Sequence, residues 1–173
     1  ITMTGAGTFS TTGGVVDVAL GSTDLEWHNQ AFVDDGTGNP GLVTLDSIDA
    51  GVISLTFDGA DLAVGSVVAS STDVTLKTLN GSLLDDGNPM TRVVGDKVTL
   101  DATGSIGAVG DPMMMVAPIP LGINADTVVA SAGQNVILEN FGSTVIESIN
   151  ASGTVEFTAL DDGTGSDITV GRL

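Results

Sequence analysis

The chain has 173 residues, with 22 acidic and four basic side chains, one histidine and no cysteine, for a formal net charge of −18. So few cations exclude nucleic-acid binding through phosphate neutralisation and disfavour binding to anionic membranes. The absence of cysteine excludes disulfides and zinc–thiolate sites, and no apolar run is long enough for a membrane-spanning helix. Hydrophobic residues make up 42% of the chain, which is enough to build a sizeable core.

The kinds of polar residue favour an all-β fold. The acidic residues are 18 Asp and only 4 Glu, and they accompany 24 Gly and many Ser, Thr and Val. Asp and Gly suit tight turns, whereas β-branched Val and Thr suit strands. Strand formers interrupted by turn formers, with few helix formers, therefore predict a nearly all-β chain.

Short apolar–x–apolar runs recur along the chain and predict strands. In chain order they cover residues 15–20, 43–45, 52–57, 74–76, 98–100, 136–138 and 155–157. Between residues 125 and 132 the pattern would tolerate a helix, but the pair Val128-Val129 favours a strand. Runs this short suit the coils of a solenoid better than a free-standing sandwich, whose strands usually have about 5–6 residues.

The tripeptide Asp-Asp-Gly marks a candidate repeat. It begins at Asp34, Asp85 and Asp161, and its intervals of 51 and 76 residues are close to two and three multiples of about 25. A unit of about 25 residues fits one coil of a parallel β-solenoid, in which aliphatic side chains stack inside and polar ones face water. We therefore predict a single β-solenoid of about seven coils over residues 1–173, as an excerpt of a longer repetitive chain. An antiparallel β-sandwich is the alternative fold.

A further pattern runs from Lys97 to Leu160. VTLDATGSIG at 98–107 is followed by DP at 111–112, ADTVVASAG at 125–133 and NVIL at 135–138. This order resembles the repeat region of filamentous-haemagglutinin-type proteins, the large β-helical exoproteins and adhesins of Gram-negative bacteria. The resemblance implies a right-handed parallel β-helix, secretion to the extracellular space or cell surface, and an adhesive or structural role with no catalytic residues to transfer. Residues 25–30 have no counterpart in the pattern.

The Asp-Asp-Gly turns are candidate Ca²⁺ sites, because Ca²⁺ prefers six to eight oxygen ligands. The candidate ligands are the aspartates in or near these turns: Asp34, Asp35, Asp85, Asp86, Asp161, Asp162 and Asp167. The alternative is that Asp-Gly sequences only form tight turns. We expect no cofactor to be required, and we expect Ca²⁺ or salt to stabilise the fold by screening its charge. An antiparallel sandwich with calcium in its turns is the corresponding binding-module hypothesis.

Several other features suggest chemistry but favour structural roles. The G-x-G-x-x-G match at 36–41 is followed by a predicted strand, whereas a dinucleotide site needs a helix there. His28 has no second His and no Cys with which to bind zinc. Trp27 is either a sugar-stacking residue or a half-buried aromatic, and the three methionines at 113–115 are expected to fill the core.

These features predict a non-enzymatic adhesive or structural segment of a secreted or cell-surface exoprotein. The unpaired strands at the ends of a solenoid also predict a homopolymer, so a subunit of a self-assembling extracellular fibre or sheath is one alternative. A β-helix carbohydrate-processing enzyme is another, because the separation of two carboxylates is not visible in sequence. The expected partners are copies of the chain, or host-cell, matrix or polysaccharide surfaces.

Overall fold

The computed structural model describes residues 2–3, 8–12, 15–29, 41–69, 72–110, 113–161, 163 and 165–171. Within these residues the chain is all-β, as predicted, and it forms no helix that could cross a membrane. Its strands are β1 (Thr2–Met3), β2 (Thr8–Thr12), β3 (Val15–Ala19), β4 (Leu25–Asn29), β5 (Leu42–Ala50), β6 (Ile53–Phe57), β7 (Asp61–Ala69), β8 (Val74–Thr78), β9 (Leu83–Asp85), β10 (Val93–Ala102), β11 (Leu121–Ala132), β12 (Val136–Phe141), β13 (Thr144–Ala151), β14 (Val155–Leu160) and β15 (Ile168–Val170).

All seven predicted strands are present, with ends that differ by up to several residues, and β11 confirms the preference for a strand around Val128. The apolar-triplet pattern missed β1, β2, β4, β7, β9, β13 and β15. In β7 the apolar side chains do not alternate with polar ones, because both faces of its central segment are buried. A strand buried on both sides has no period of two for sequence reasoning to detect.

The strands pair mainly in parallel. In the described residues twelve of the fourteen strand pairings are parallel and two are antiparallel, which contradicts the antiparallel sandwich alternative. One stack runs Ile53, Val74, Val98, Val128 and Ile146, each residue level with the next. The chain returns to this stack at offsets of 21, 24, 30 and 18 residues.

The two ends of the stack differ. At one end β2 pairs with β3 and β1 with β4, and these are the two antiparallel pairings. At the other end β14 pairs only with β12 and β15 only with β13 among the described strands. Val155, Ile168 and Val170 on these last strands are 42 to 50% exposed. The first end is therefore bordered by antiparallel strands, whereas the second presents two edge strands with exposed apolar side chains.

The core is a set of aliphatic stacks. Leu55, Leu76 and Leu100 are in register on β6, β8 and β10, and each is fully buried. The intervening positions face outward, where Lys77 of β8 lies 2.6 Å from the carboxylate of Asp101, its register partner on β10. Because successive side chains of a strand point to opposite faces, parallel in-register pairing places like residues above one another. The interior is thus built from aliphatic layers with few aromatic residues, as the composition predicted.

A glycine recurs at one corner of the stack. Gly81, Gly104 and Gly133 each follow a strand of the stack that contains Val98, a few residues beyond its end. A Cβ atom at Gly81 would lie 2.0 Å from the carbonyl oxygen of Ala60, and one at Gly133 would lie 2.0 Å from that of Thr103. The backbone segments approach so closely here that only glycine fits.

A ladder of polar residues stands directly beside these glycines. Its members are Asp61, Ser82, Ser105, Asn135 and Thr154. Each lies one position before a residue of the stack Leu62, Leu83, Ile106, Val136 and Val155. The Ser82 amide donates to Asp61 Oδ1 at 2.7 Å, and the Ser105 amide to Ser82 Oγ at 3.2 Å. Asn135 Nδ2 donates to Ser105 Oγ at 3.3 Å, and the Thr154 amide to Asn135 Oδ1 at 2.9 Å. Side chains therefore carry hydrogen bonds across five successive levels of the structure.

The Asp-Asp-Gly tripeptides do not mark equivalent turns. Leu83 is level with Val155 through Ile106 and Val136, so Asp85 is level with Phe157 and not with Asp161. The third tripeptide, at Asp34, lies outside the described residues. The element that recurs in the structure is the glycine corner with its polar neighbour.

Candidate functional site

Two loops leave the strand stacks side by side. Val64 of β7 pairs with Asp85, and Val67 of β7 pairs with Val93. Two residues of β7 therefore lie opposite the seven residues 86–92, which form a loop that bulges outward. At the next level the chain leaves after Ile106 and resumes at β11, and the described residues in between, 107–110 and 113–120, belong to a second loop. β12 passes the same place without interruption. Paired loops on a regular scaffold are where binding functions concentrate.

A cavity of about 410 Å³ lies between these two loops and the strands beneath them. This volume falls within the range of small-molecule sites, about 300–1,000 Å³. The walls combine apolar side chains, two glycines and three polar side chains; they are Asp85, Gly87, Pro89, Thr91, Ile119, Pro120, Gly122, Glu139 and Phe141. We call this cavity the flank pocket. It joins residues that are far apart in sequence, because parallel pairing brings β9, β11 and β12 together.

The carboxyl group of Asp85 lies in a partly buried position on the wall of the flank pocket. Burial raises the pKa of this carboxyl group, and the neighbouring carboxylate of Asp86 raises it further. Hydrogen bonds from the backbone amides of Gly87 and Gly122 act in the opposite direction, with Gly87 N lying 2.7 Å from Asp85 Oδ1. Since the net effect is upward, desolvation and the charge of Asp86 together outweigh the two amide hydrogen bonds.

The loop 86–92 is ordered by its own side chains. Asp86 Oδ1 accepts hydrogen bonds from the Asn88 amide at 2.9 Å and from Thr91 Oγ1 at 2.7 Å. Asn88 Oδ1 accepts one from the Met90 amide at 3.1 Å, and Thr91 Oγ1 also lies 2.8 Å from the Asn88 carbonyl oxygen. Short polar side chains that bond the backbone two residues on are typical of tight turns. These bonds fix the rim of the flank pocket.

Arg92 supports the aromatic wall of the flank pocket. Its guanidinium carbon lies 3.5 Å from the centroid of the Phe141 ring, a cation–π contact. Arg92 precedes β10 and is level with Gly122, which has no side chain to block the path toward Phe141. Its Nε is buried and has no hydrogen-bond partner, and Arg92 takes part in none of the ion pairs between described residues.

The predicted Ca²⁺ ligands fall into three described places. Asp85 and Asp86 lie at the flank pocket, whereas Asp161 accepts hydrogen bonds from the amides of Gly163 at 2.8 Å and Gly165 at 3.0 Å. Asp167 lines a shallower cavity of about 280 Å³ together with Asp126, Ser143, Thr144, Val145 and Thr169. Asp34, Asp35 and Asp162 lie outside the described residues. Across the described ranges no group of three or more His, Asp or Glu side chains is placed to hold one metal ion, and Ca²⁺ binding stays a prediction.

The other candidate residues have mixed outcomes. His28 Nε2 lies 2.5 Å from Asp58 Oδ1, and Trp27 is partly buried with its ring 4.9 Å from that of Phe57, edge to face. The expectation that the methionines fill the core is wrong: Met113, Met114 and Met115 are 74 to 96% exposed in the second loop. The loop leaves the stacks, so its apolar side chains have no interior to enter. The glycine-rich match at 36–41 lies outside the described residues except for its last glycine.

Sequence reasoning missed Glu139, Phe141 and Arg92 as site residues. The prolines and glycines at 87, 89, 118, 120 and 122 do signal two loops, but no local pattern places those loops next to β12. In the comparisons with known proteins, no family model, curated protein or solved structure matches the chain.

Proposed function

We propose that this chain is a segment of a right-handed parallel β-solenoid with about seven coils, and that it serves as a non-enzymatic adhesive or structural part of a secreted or cell-surface exoprotein. The observation that carries the proposal is the polar ladder from Asp61 to Thr154, whose members stand one above another at five levels. A chain that winds in successive coils produces such a ladder, because each coil repeats the position of the last. The filamentous-haemagglutinin-like pattern over 97–160 supports the same role.

The outer surface suits an element that stays rigid and hydrated outside the cell. Ion pairs connect different levels of the stack, with Lys77 2.6 Å from Asp101 and Lys97 2.6 Å from Glu147. The chain carries a formal net charge of −18, which favours solubility and repels anionic surfaces. The partners proposed for this surface are host-cell, matrix or polysaccharide surfaces that carry neutral or basic groups.

The adhesive role is tested with beads coated with the purified chain. We expect them to bind host cells or matrix proteins, and we expect beads coated with a Gly81→Ala/Gly133→Ala variant to lose that binding, since both substitutions place a Cβ 2.0 Å from a backbone oxygen and separate the coils. Equal binding by the two kinds of bead, or no binding by either, would contradict the proposal.

A fibre-forming subunit is the first alternative, and the exposed edge strands favour it. β14 and β15 present apolar Val155, Ile168 and Val170 beside strand edges that pair with no further described strand, and such edges recruit further strands. Negative-stain electron microscopy of the concentrated chain tests this alternative. Filaments that disappear on Val155→Lys substitution would support it, and monodisperse particles would count against it.

A carbohydrate-processing enzyme is the second alternative, and the flank pocket favours it. Asp85, whose carboxyl pKa is raised, and Glu139 line the same cavity, as a general acid and its partner carboxylate would. Release of reducing ends from a panel of polysaccharides tests this reaction. Activity that Asp85→Asn and Glu139→Gln each abolish would establish it and overturn the non-enzymatic proposal.

A further inference from the structure

The polar side chains that line the flank pocket are hydrogen-bond acceptors. Asp85 and Glu139 contribute carboxylates. The single hydroxyl hydrogen of Thr91 is directed within the loop, where Asp86 Oδ1 and the Asn88 carbonyl oxygen lie 2.7 and 2.8 Å away. Thr91 therefore presents only lone pairs to the cavity. A ligand that satisfies these groups must bring donors, and it needs few acceptors of its own.

The carboxylates of the flank pocket, Asp85 and Glu139, form none of the ion pairs between described residues. Lys77 and Lys97 are paired with Asp101 and Glu147, away from the pocket, and Arg92 lies on the Phe141 ring without an ion pair. Burial and the neighbouring carboxylate of Asp86 raise the pKa of the Asp85 carboxyl group, as expected for a partly desolvated acid with no cation beside it. A ligand that carries positive charge would remove this penalty.

The remaining walls are apolar. Pro89, Ile119, Pro120 and Phe141 surround the cavity with hydrocarbon. A hydrocarbon chain that lies between these walls transfers apolar surface out of water, which stabilises the bound state by about 25 cal/mol per Å². The guanidinium of Arg92 already occupies one position on the Phe141 ring. This arrangement favours a slender stem with a compact charged end over a second planar guanidinium.

We infer that the flank pocket binds a primary ammonium group on an apolar stem, as in the lysine side chain of a partner protein, with Asp85 and Glu139 as its charge partners. An ammonium group has three donors and no acceptor, which matches a lining of three acceptor side chains. The inference rests on the proposed adhesive function and deepens it, because it gives the partner surface a chemical class: exposed lysine on protein.

The binding is measured by isothermal titration calorimetry with Nα-acetyl-lysine amide and, as an isostere without the ammonium group, Nα-acetyl-norleucine amide. We expect the lysine compound to bind at least about tenfold more tightly, which corresponds to about 1.4 kcal/mol. In the double variant Asp85→Asn/Glu139→Gln we expect the affinity for lysine to fall about tenfold or more. The matched control is Asp49→Asn/Glu26→Gln, which removes the same charge from two exposed positions and should leave the affinity within about twofold.

Three results would overturn the inference: equal binding of lysine and norleucine compounds, equal loss in the two double variants, or no binding of the lysine compound at millimolar concentration. Thermal unfolding of both double variants verifies that they fold. The bead experiment is independent of this one. Lysine binding without bead adhesion would support the lysine site and reject the adhesive function. Bead adhesion without lysine binding would support the adhesive function and reject the lysine site.

Discussion

The close approach of backbone segments at the glycine corner makes Gly81→Ala a direct test of the stacking. The new Cβ would lie 2.0 Å from the Ala60 carbonyl oxygen and 2.5 Å from its carbonyl carbon. Both atoms are backbone atoms, so no side-chain rotation can remove the clash, and the two levels must move apart by more than about 1 Å against a strand spacing of about 4.8 Å. That movement strains the hydrogen bonds from the Gly104 amide to Gly81 O at 2.7 Å and from the Leu62 amide to Ser82 O at 2.9 Å.

The expected cost follows from these two effects. Overpacking costs about 1–3 kcal/mol, and each weakened backbone hydrogen bond costs about 1 kcal/mol. We therefore expect Gly81→Ala to lower the free energy of unfolding by about 3–5 kcal/mol and the Tm by about 6–20 °C. Thermal unfolding followed by far-ultraviolet circular dichroism, together with urea titration, measures both quantities.

Gly21→Ala is the matched control. Gly21 has a φ of +57° and no atom within 4 Å of the position of a Cβ, so alanine there meets only left-handed backbone strain of about 1–2 kcal/mol. The close-approach argument is refuted if the Tm of Gly81→Ala equals or exceeds that of Gly21→Ala.

Three further predictions concern buried and charged groups. Asn140 is fully buried; its Oδ1 accepts a hydrogen bond from the Ala125 amide at 3.0 Å, and its Nδ2 donates one to the Gly142 carbonyl oxygen at 3.1 Å. Asn140→Leu removes both side-chain partners, so urea titration should show that the free energy of unfolding falls by about 2–4 kcal/mol. An unchanged urea midpoint would contradict this prediction. The pKa of Asp85 is raised above 3.8 in the folded state, so the destabilisation caused by its charge grows as pH rises through the folded pKa. Asp85→Asn removes that charge and should raise the Tm at pH 7 by about 1–2 °C, which corresponds to well under 1 kcal/mol because the group is partly exposed. The gain in Tm should vanish near pH 3, where the carboxyl group is protonated in both states. Millimolar Ca²⁺ should raise the Tm by more than NaCl of equal ionic strength does if the aspartate turns bind it specifically; an equal rise would leave only screening.

The sequence predicted the elements whose signal is local. The triplets at 74–76 and 98–100 alternate apolar and polar residues, and both became strands with buried Val and Leu. The structural repeat has a weaker signal in the sequence. The conspicuous Asp-Asp-Gly tripeptides that begin at Asp85 and Asp161 do not lie at equivalent positions of the strand stack. The corner glycines are less conspicuous among 24 glycines, and only the close contact of their backbone separates them from glycines in ordinary turns.

The methionines at 113–115 show a second limit of prediction from sequence: apolar residues that were predicted to be buried are exposed. Methionine is flexible and polarisable and commonly fills irregular gaps in a core, and on that ground the sequence predicts Met113 to Met115 to be buried. The pairing of Ala108 with Ile119 instead closes the second loop, to which the methionines belong, outside the stack. Whether an apolar segment enters the core depends on the path of the chain around it, and composition carries no information on that path.

By itself the sequence determined the all-β character, the strong negative charge and the aliphatic interior, because strand preference, charge and side-chain volume belong to each residue or to its near neighbours. Only the tertiary structure decided the flank pocket. Asp85, Ile119 and Glu139 belong to three separate strand-and-loop segments and meet because parallel strands pair in register. That register is set by packing across the whole stack, which no local stretch of sequence specifies.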